Sequence, residues 1–169
     1  MDASNHIIVD THCHLHDSEF FAENREAAYQ ASVEARVAMV CVGTDERSSH
    51  EAITFCATHA NTYPVIGVHP HEARHGWSEI AQLLIAHREA VIGIGEIGLD
   101  YYYDHSPKVS QREALEAQVQ LAIDHNLPIS FHVREAYDDF WAIIDNFQGV
   151  RGVLHSFTDT AENAEKGFA

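Results

Sequence analysis

The sequence predicts an α/β protein built on a parallel sheet, and three observations carry that expectation. Apolar runs rich in β-branched residues alternate with segments of helical period, six times along the chain. No linker or low-complexity stretch divides the 169 residues, which suit a single domain spanning 1–169. Polar, chemistry-bearing residues recur at the C-terminal ends of the apolar runs, the edge where parallel α/β folds build their sites.

The elements follow in order. A strand over 7–12, within "IIVDTHCHLH", precedes a helical pattern over 18–35. "VAMVCVGT" (37–44) precedes a second helix, with Asp45 placed to cap it. "PVIGVHP" (64–70) precedes a helix near 77–88, and "AVIGIGEIG" (90–98) a long one near 108–125 opened by Ser106-Pro107. "LPISFHV" (127–133) leads to a helix near 135–147, and "VRGVLHSF" (150–157) to a helical start in "TDTAENAEKGFA". Strand–helix alternation implies right-handed crossovers. An open doubly wound sheet and a (β/α)8 barrel both satisfy it. A dinucleotide fold has little support, because no glycine-rich phosphate loop follows the first strand.

Composition narrows the function. The formal charge of −16 argues against a broad surface that coats nucleic acid, though a local site where metal ions supply positive charge stays open. The longest apolar run is too short to span a membrane, and the N-terminus has neither the basic region nor the apolar stretch of a signal peptide. Three unevenly spaced cysteines without a CxxC suggest no disulfide framework, so a reducing cytoplasm is the expected location.

The fourteen histidines carry the chemistry. The first strand ends in Asp10, His12 and His14, which share a face because side chains alternate, while Cys13 points away. The third ends in His69 and His71, the fourth in Glu96, the fifth in His132 and the sixth in His155. On the fourth strand, alternation places Ile92, Ile94 and Glu96 on one face and Gly93 and Gly95 on the other, with the glycines letting helices approach. With this many histidines chance alone gives about one HxH pair, so a single HxH is a weak motif. The stronger signal is that independent strands deliver imidazoles and a carboxylate to the same edge. Imidazole suits zinc, manganese, cobalt, nickel and iron, and a carboxylate from another strand is able to bridge two ions. Taken alone, Glu96 in a structural ion pair, or His69 and His71 in loop packing, are the plainer readings. His16, His50, His59, His75, His87, His105 and His125 are expected to be ordinary loop or helix residues.

"VDTHCHL" (9–15), "IGVHPH" (66–71), "GEIGLDYY" (95–102), "FHVREA" (131–136) and "LHSF" (154–157), in this order, resemble the TatD family of metal-dependent deoxyribonucleases, within the amidohydrolase-like metal-barrel superfamily. The resemblance implies a TIM-type barrel with two divalent ions at the strand C-termini, magnesium, manganese or zinc. His12 and His14 would bind one ion, Glu96 would bridge both, and His132 and His155 would bind the second. Asp10 would stand behind the first-strand ligands and orient them. His69, His71, Asp100 and Tyr101 would lie near the substrate. The implied activity is hydrolysis of DNA phosphodiester bonds by a metal-activated water, as a 3′-to-5′ exonuclease on single strands. Two rival readings are hydrolysis of another ester, amide or small phosphoester, and a metal-binding module without turnover.

One departure stands out. Family members continue into two more strands, the last bearing an aspartate in a "TDxP"-like motif, and Asp159 in "SFTDT" cannot be that residue by order. Six units are two short of a closed barrel, so an incomplete (β/α)8 barrel is expected, lacking its last two strand–helix units. Its open edges would invite pairing with a second copy. The expected partners are therefore single-stranded DNA and the chain itself, with no membrane.

Overall fold

The computed structural model describes residues 8–103 and 105–168. Ile7 and Ala169, the outermost residues of the expected elements, lie outside them. Six strands, β1 (Ile8–Cys13), β2 (Val37–Val42), β3 (Thr62–Ile66), β4 (Gly93–Asp100), β5 (Ile129–Arg134) and β6 (Gly152–Leu154), pair in chain order, and every pair is parallel. A doubly wound sheet reverses its strand order near the middle. This sheet never does, and it curls into an incomplete TIM-type barrel. Helices α1 (Arg25–Glu34), α2 (Glu46–Thr58), α3 (Ser78–Ala86), α4 (Lys108–Asp124), α5 (Tyr137–Ile144) and α6 (Ala161–Gly167) follow the strands in turn.

Two layers of apolar packing hold the arrangement. Inside the curl, Val40, Val42 and Val65 pack together with Ile92. Outside it, Ile66, Ile94, Ile97, Leu99 and Phe131 meet Leu84, Leu115, Val119 and Phe140 of the helices. A second outer cluster joins Met39 and Cys41 to Tyr29 and Phe55, with Cys13 packed against it, on the side of β1 away from the histidines.

Several boundaries differ from expectation for identifiable reasons. The first helix starts at Arg25 rather than 18, because Asp17 Oδ1 accepts the backbone N–H groups of Glu19 and Phe20 at 2.8 and 3.2 Å. This local turn captures donors that a helix would otherwise leave free. Asp45 does cap α2, its Oδ1 accepting from Ser48 N–H at 2.6 Å. β6 keeps three residues of the expected eight, paired with β5 alone.

The facing of β4 is corrected by a register shift between Gly95 and Ile97. Ile94 lies among the helix-facing residues, not beside Glu96. The glycines serve the neighbouring strand rather than the helices. A Cβ on Gly95 would stand 2.8 Å from Ser130 Cβ, and one on Gly98, at φ +153°, 1.8 Å from His132 O. Close approach of β4 to β5 therefore requires glycine at both positions.

Candidate metal centre

Glu96 is the hub. The residue is 4% exposed, sits at the irregularity of β4, and is held by its backbone N–H donating to Gly43 O at 2.8 Å. Around it stand His12 Nε2 at 3.1 Å and His14 Nε2 at 3.7 Å from Oε2, and His132 Nδ1 at 2.9 Å, His69 Nε2 at 3.7 Å and His155 Nε2 at 4.0 Å from Oε1. The structure thus brings together all five residues expected as ligands, and adds His69. They arrive from the ends of β1, β3, β4, β5 and β6.

Ring orientations show which nitrogen offers a lone pair. His14 Nδ1 lies 2.8 Å from Val42 O, and a carbonyl only accepts, so Nδ1 carries the proton and Nε2 presents its lone pair. That nitrogen is 3.3 Å from His12 Nε2. Two imidazole nitrogens and a carboxylate oxygen facing one point form an electron-rich nest that suits a divalent cation. His132 has Nε2 against Asp100 Oδ2 at 2.8 Å and Nδ1 towards Glu96, the carboxylate–histidine arrangement that orients metal ligands. His69 differs. Its Nδ1 accepts the backbone N–H of His71 at 3.1 Å, which leaves the ring proton on Nε2. It aims an N–H, not a lone pair, at the centre.

Ligand atoms lying within 4.8 Å of one another form two groups, His12–Glu96–His155 and His69–Glu96–His132. The expected neighbours His12 and His14 stay together, their Nε2 atoms 3.3 Å apart beside Glu96 Oε2, while His155 is grouped with His12 rather than with His132. His155 sits with His12, the two rings stacked at 3.5 Å, and both groups share Glu96.

Electrostatics suits cation binding. Burial opposes charge on Glu96, but hydrogen bonds from His12 and His132 and the nearby His69 outweigh it and hold the carboxyl well below its ordinary range. Burial pushes His69 down to about 3, keeping it neutral. Burial also works against charge on His132, yet Glu96 and Asp100 overcome it and raise its pKa. A metal ion beside His132 would compete with that proton.

The remaining expected site residues separate. Asp10 is exposed, and its Oδ1 accepts the backbone N–H of His12 at 3.1 Å. Its hold on His12 therefore runs through the main chain, while Ser130 Oγ at 3.0 Å from Nδ1 orients the ring. Asp100, expected at the substrate, lines the cavity and is 1% exposed. Its Oδ2 faces His132 and His71, and its Oδ1 accepts from the N–H groups of Tyr102 and Tyr103. It positions histidines. Tyr101 turns away from the cavity, its hydroxyl donating to Asp139 Oδ2 at 2.7 Å. His71 does line the cavity, as do His14, His69, His132 and His155 around a volume of about 880 Å³. Asp159 Oδ1 accepts from the Thr160 N–H and the Asn163 side-chain amide beside the start of α6, which Thr160 caps, and Asp159 does not line the cavity.

Three supporting residues escaped the sequence reading. Ser130 carries no signal beyond its place two residues before His132. Gln111 and Gln118 lie seven apart on the buried face of α4, where amides stand out among apolar neighbours. Gln111 Oε1 accepts the N–H of Asp100 at 2.8 Å, and Gln118 Oε1 that of Val68 at 2.8 Å, so both fix the ends of site-bearing strands.

Comparison with known proteins gives the chain a family and relatives of the same barrel fold. Residues 9–169 match the family described as TatD related DNase, and the chain belongs to that family. An uncharacterized metal-dependent hydrolase, YabD of Bacillus subtilis, is 36% identical over 165 residues, covering 95% of this chain and 64% of that protein. The 3′-5′ ssDNA/RNA exonuclease TatD of Pantoea sp. is 36% identical over 151 residues, covering 86% and 58%. Among solved structures, the TatD homologue YJJV of Escherichia coli K12 superposes with a TM-score of 0.85 at 25% identity, over 95% of this chain and 64% of that one. The chain spans roughly three-fifths of the length of these relatives.

Proposed function

We propose that this chain is the metal-binding part of a nuclease that hydrolyses phosphodiester bonds of single-stranded DNA from the 3′ end. The observation that carries this reading is the buried Glu96 carboxylate, ringed by five imidazoles at the strand C-termini. The relative named as a 3′-5′ ssDNA/RNA exonuclease supports the substrate class. In this reading residues 1–169 form one hydrolase domain lacking two strand–helix units of a full barrel.

His12, His14, His132 and His155 would hold two divalent ions, magnesium, manganese or zinc, with Glu96 between them. Such ions supply Lewis acidity, lowering the pKa of water and neutralising phosphate charge. The protein's own groups do the rest. His69 Nε2–H donates a hydrogen bond to a phosphoryl oxygen, and stays neutral while doing so because burial suppresses its protonation. Asp100 keeps His132 turned so that Nδ1 faces Glu96. His71, 3.0 Å from Asp100 Oδ2, forms the outer wall on the substrate side.

The test is a digest of single-stranded DNA labelled at either end, with manganese, beside a lactone and a small phosphodiester. Stepwise loss from the 3′ end is the expected result; preference for the lactone would defeat the nuclease reading. One observation favours a second reading, metal binding without turnover. The two buried carboxylates at the centre, Glu96 and Asp100, are both engaged by imidazoles, so neither stands free to take a proton from water. Metal bound at full occupancy with no cleavage of any of the three substrates would establish it.

A further inference from the structure

Beyond the metal centre, the mouth of the same cavity carries groups that the hydrolytic reading does not use. Phe20 stands on its wall and is 73% exposed, its ring open to the cavity. Its ring centroid lies 6.2 Å from that of His14, so it overhangs the ions' expected position rather than the distant surface. The turn that Asp17 closes holds it there, with Phe20 N–H donating to Asp17 Oδ1.

Two guanidiniums also line the cavity, and they differ. Arg47 is spent on carboxylates, with Glu51 at 2.7 Å and Asp17 and Glu19 at 3.6 Å. Arg134 has no carboxylate within 4.0 Å among the described residues. It lies over the rings of Tyr102 and Tyr103, at 4.0 and 4.9 Å from the centroids. Aromatic faces hold an arginine in place while leaving its N–H fork free to meet an anion. In a chain of net charge −16, a propped guanidinium with no carboxylate beside it among the described residues, at a cavity mouth, marks a place for negative charge to dock.

We infer that the cavity mouth is a nucleotide clamp, in which Phe20 stacks on a base and Arg134, propped by Tyr102 and Tyr103, takes a backbone phosphate of a single strand. A single strand fits because its bases are free to leave the stack and its phosphates accept bidentate guanidinium contacts. In a duplex the bases are already stacked on one another. The inference rests on the nuclease reading above. It adds that binding depends on bases as well as on the reacting phosphodiester.

Fluorescence anisotropy of short, phosphorothioate-linked single strands in manganese tests it, with bases present or replaced by abasic sites. The 169-residue chain is compared with Phe20→Ala and Arg134→Gln, both changes at exposed positions outside the core. Phe20→Ala should weaken the base-bearing strand by roughly 5- to 100-fold and leave the abasic strand unchanged. Arg134→Gln should weaken both and lower the slope of log affinity against log salt by about 0.7, the loss of one phosphate contact. Equal affinity of both strands for the parent chain, unaltered by Phe20→Ala, would overturn the clamp while DNA binding itself stood. Absence of any DNA binding, with no cleavage of an ordinary strand in manganese, would overturn the nuclease reading and the clamp with it.

Discussion

β4 and β6 each deliver one candidate ligand, and they do so from opposite circumstances. All eight residues of β4 are buried, and the strand pairs on both sides. β6 has three residues, two of them exposed, and pairs only with β5. Glu96 is therefore fixed by the best-supported strand in the sheet, and His155 by the least supported. The centre has a rigid half built on β4 and β5, and a looser half built where β1 and β6 face each other across the open side. His12 and His155, from those two edge strands, touch by stacking at 3.5 Å, and Ser130 of β5 ties the first of them to the rigid half.

The largest effect should come from the hub. Glu96→Ala is expected to reduce divalent-ion affinity by about 100-fold or more and to abolish any nuclease activity, since both ion groups share this carboxylate. Isothermal titration with manganese checks it, and unchanged metal content would break the assignment. Next, His132→Ala should cost more metal affinity than His155→Ala, roughly 100-fold against 10-fold, because only the first ring is oriented by a buried carboxylate. Equal losses would show that the two halves are equally rigid.

A stability pair sharpens the same contrast. Leu115→Ala, against the back of the central strands, is expected to cost about 2–5 kcal/mol by chemical denaturation. Val153→Ala on exposed β6 should stay within about 0.5 kcal/mol. Comparable losses would mean that the edge is covered in solution.

A smaller effect follows pH. His16 follows β1, fully buried, with Nε2 against Ser48 Oγ at 3.0 Å. Burial, then the neighbouring His14, lowers its pKa to about 4. The unfolded chain takes up this proton near pH 6.5, and the folded chain only near 4. Its contribution is therefore complete above about pH 6.5 and is lost as pH falls towards 4, by about 3 kcal/mol. His16→Gln should flatten that part of the stability profile; an unaltered profile would show that His16 is not its source.

The legibility of the molecule follows the same division. Strand–helix alternation, the parallel sheet and the convergence of His12, His14, Glu96, His132 and His155 were readable because each strand states its own pattern locally. What escaped was decided between elements. The facing of Ile94 and Gly95 turned on a register shift that strict alternation could not register. The start of α1 turned on Asp17 competing for backbone donors. The role of Asp100 depended on distances to His132 and His71, which come from other strands. The family resemblance implied a place near the substrate for Tyr101, but Asp139 on α5 claims its hydroxyl. Asn- and Asp-type turns, strand irregularities and cross-strand hydrogen bonds are tertiary decisions, and a linear pattern carries only half of each.

The most direct measurement is anomalous diffraction from crystals soaked in manganese or zinc. The account predicts ions bound by the Glu96 carboxylate, at about 2.0–2.2 Å from its oxygens and from imidazole nitrogens of His12 and His132. Anomalous peaks elsewhere on the molecule, with no peak beside Glu96 at saturating metal, would contradict it.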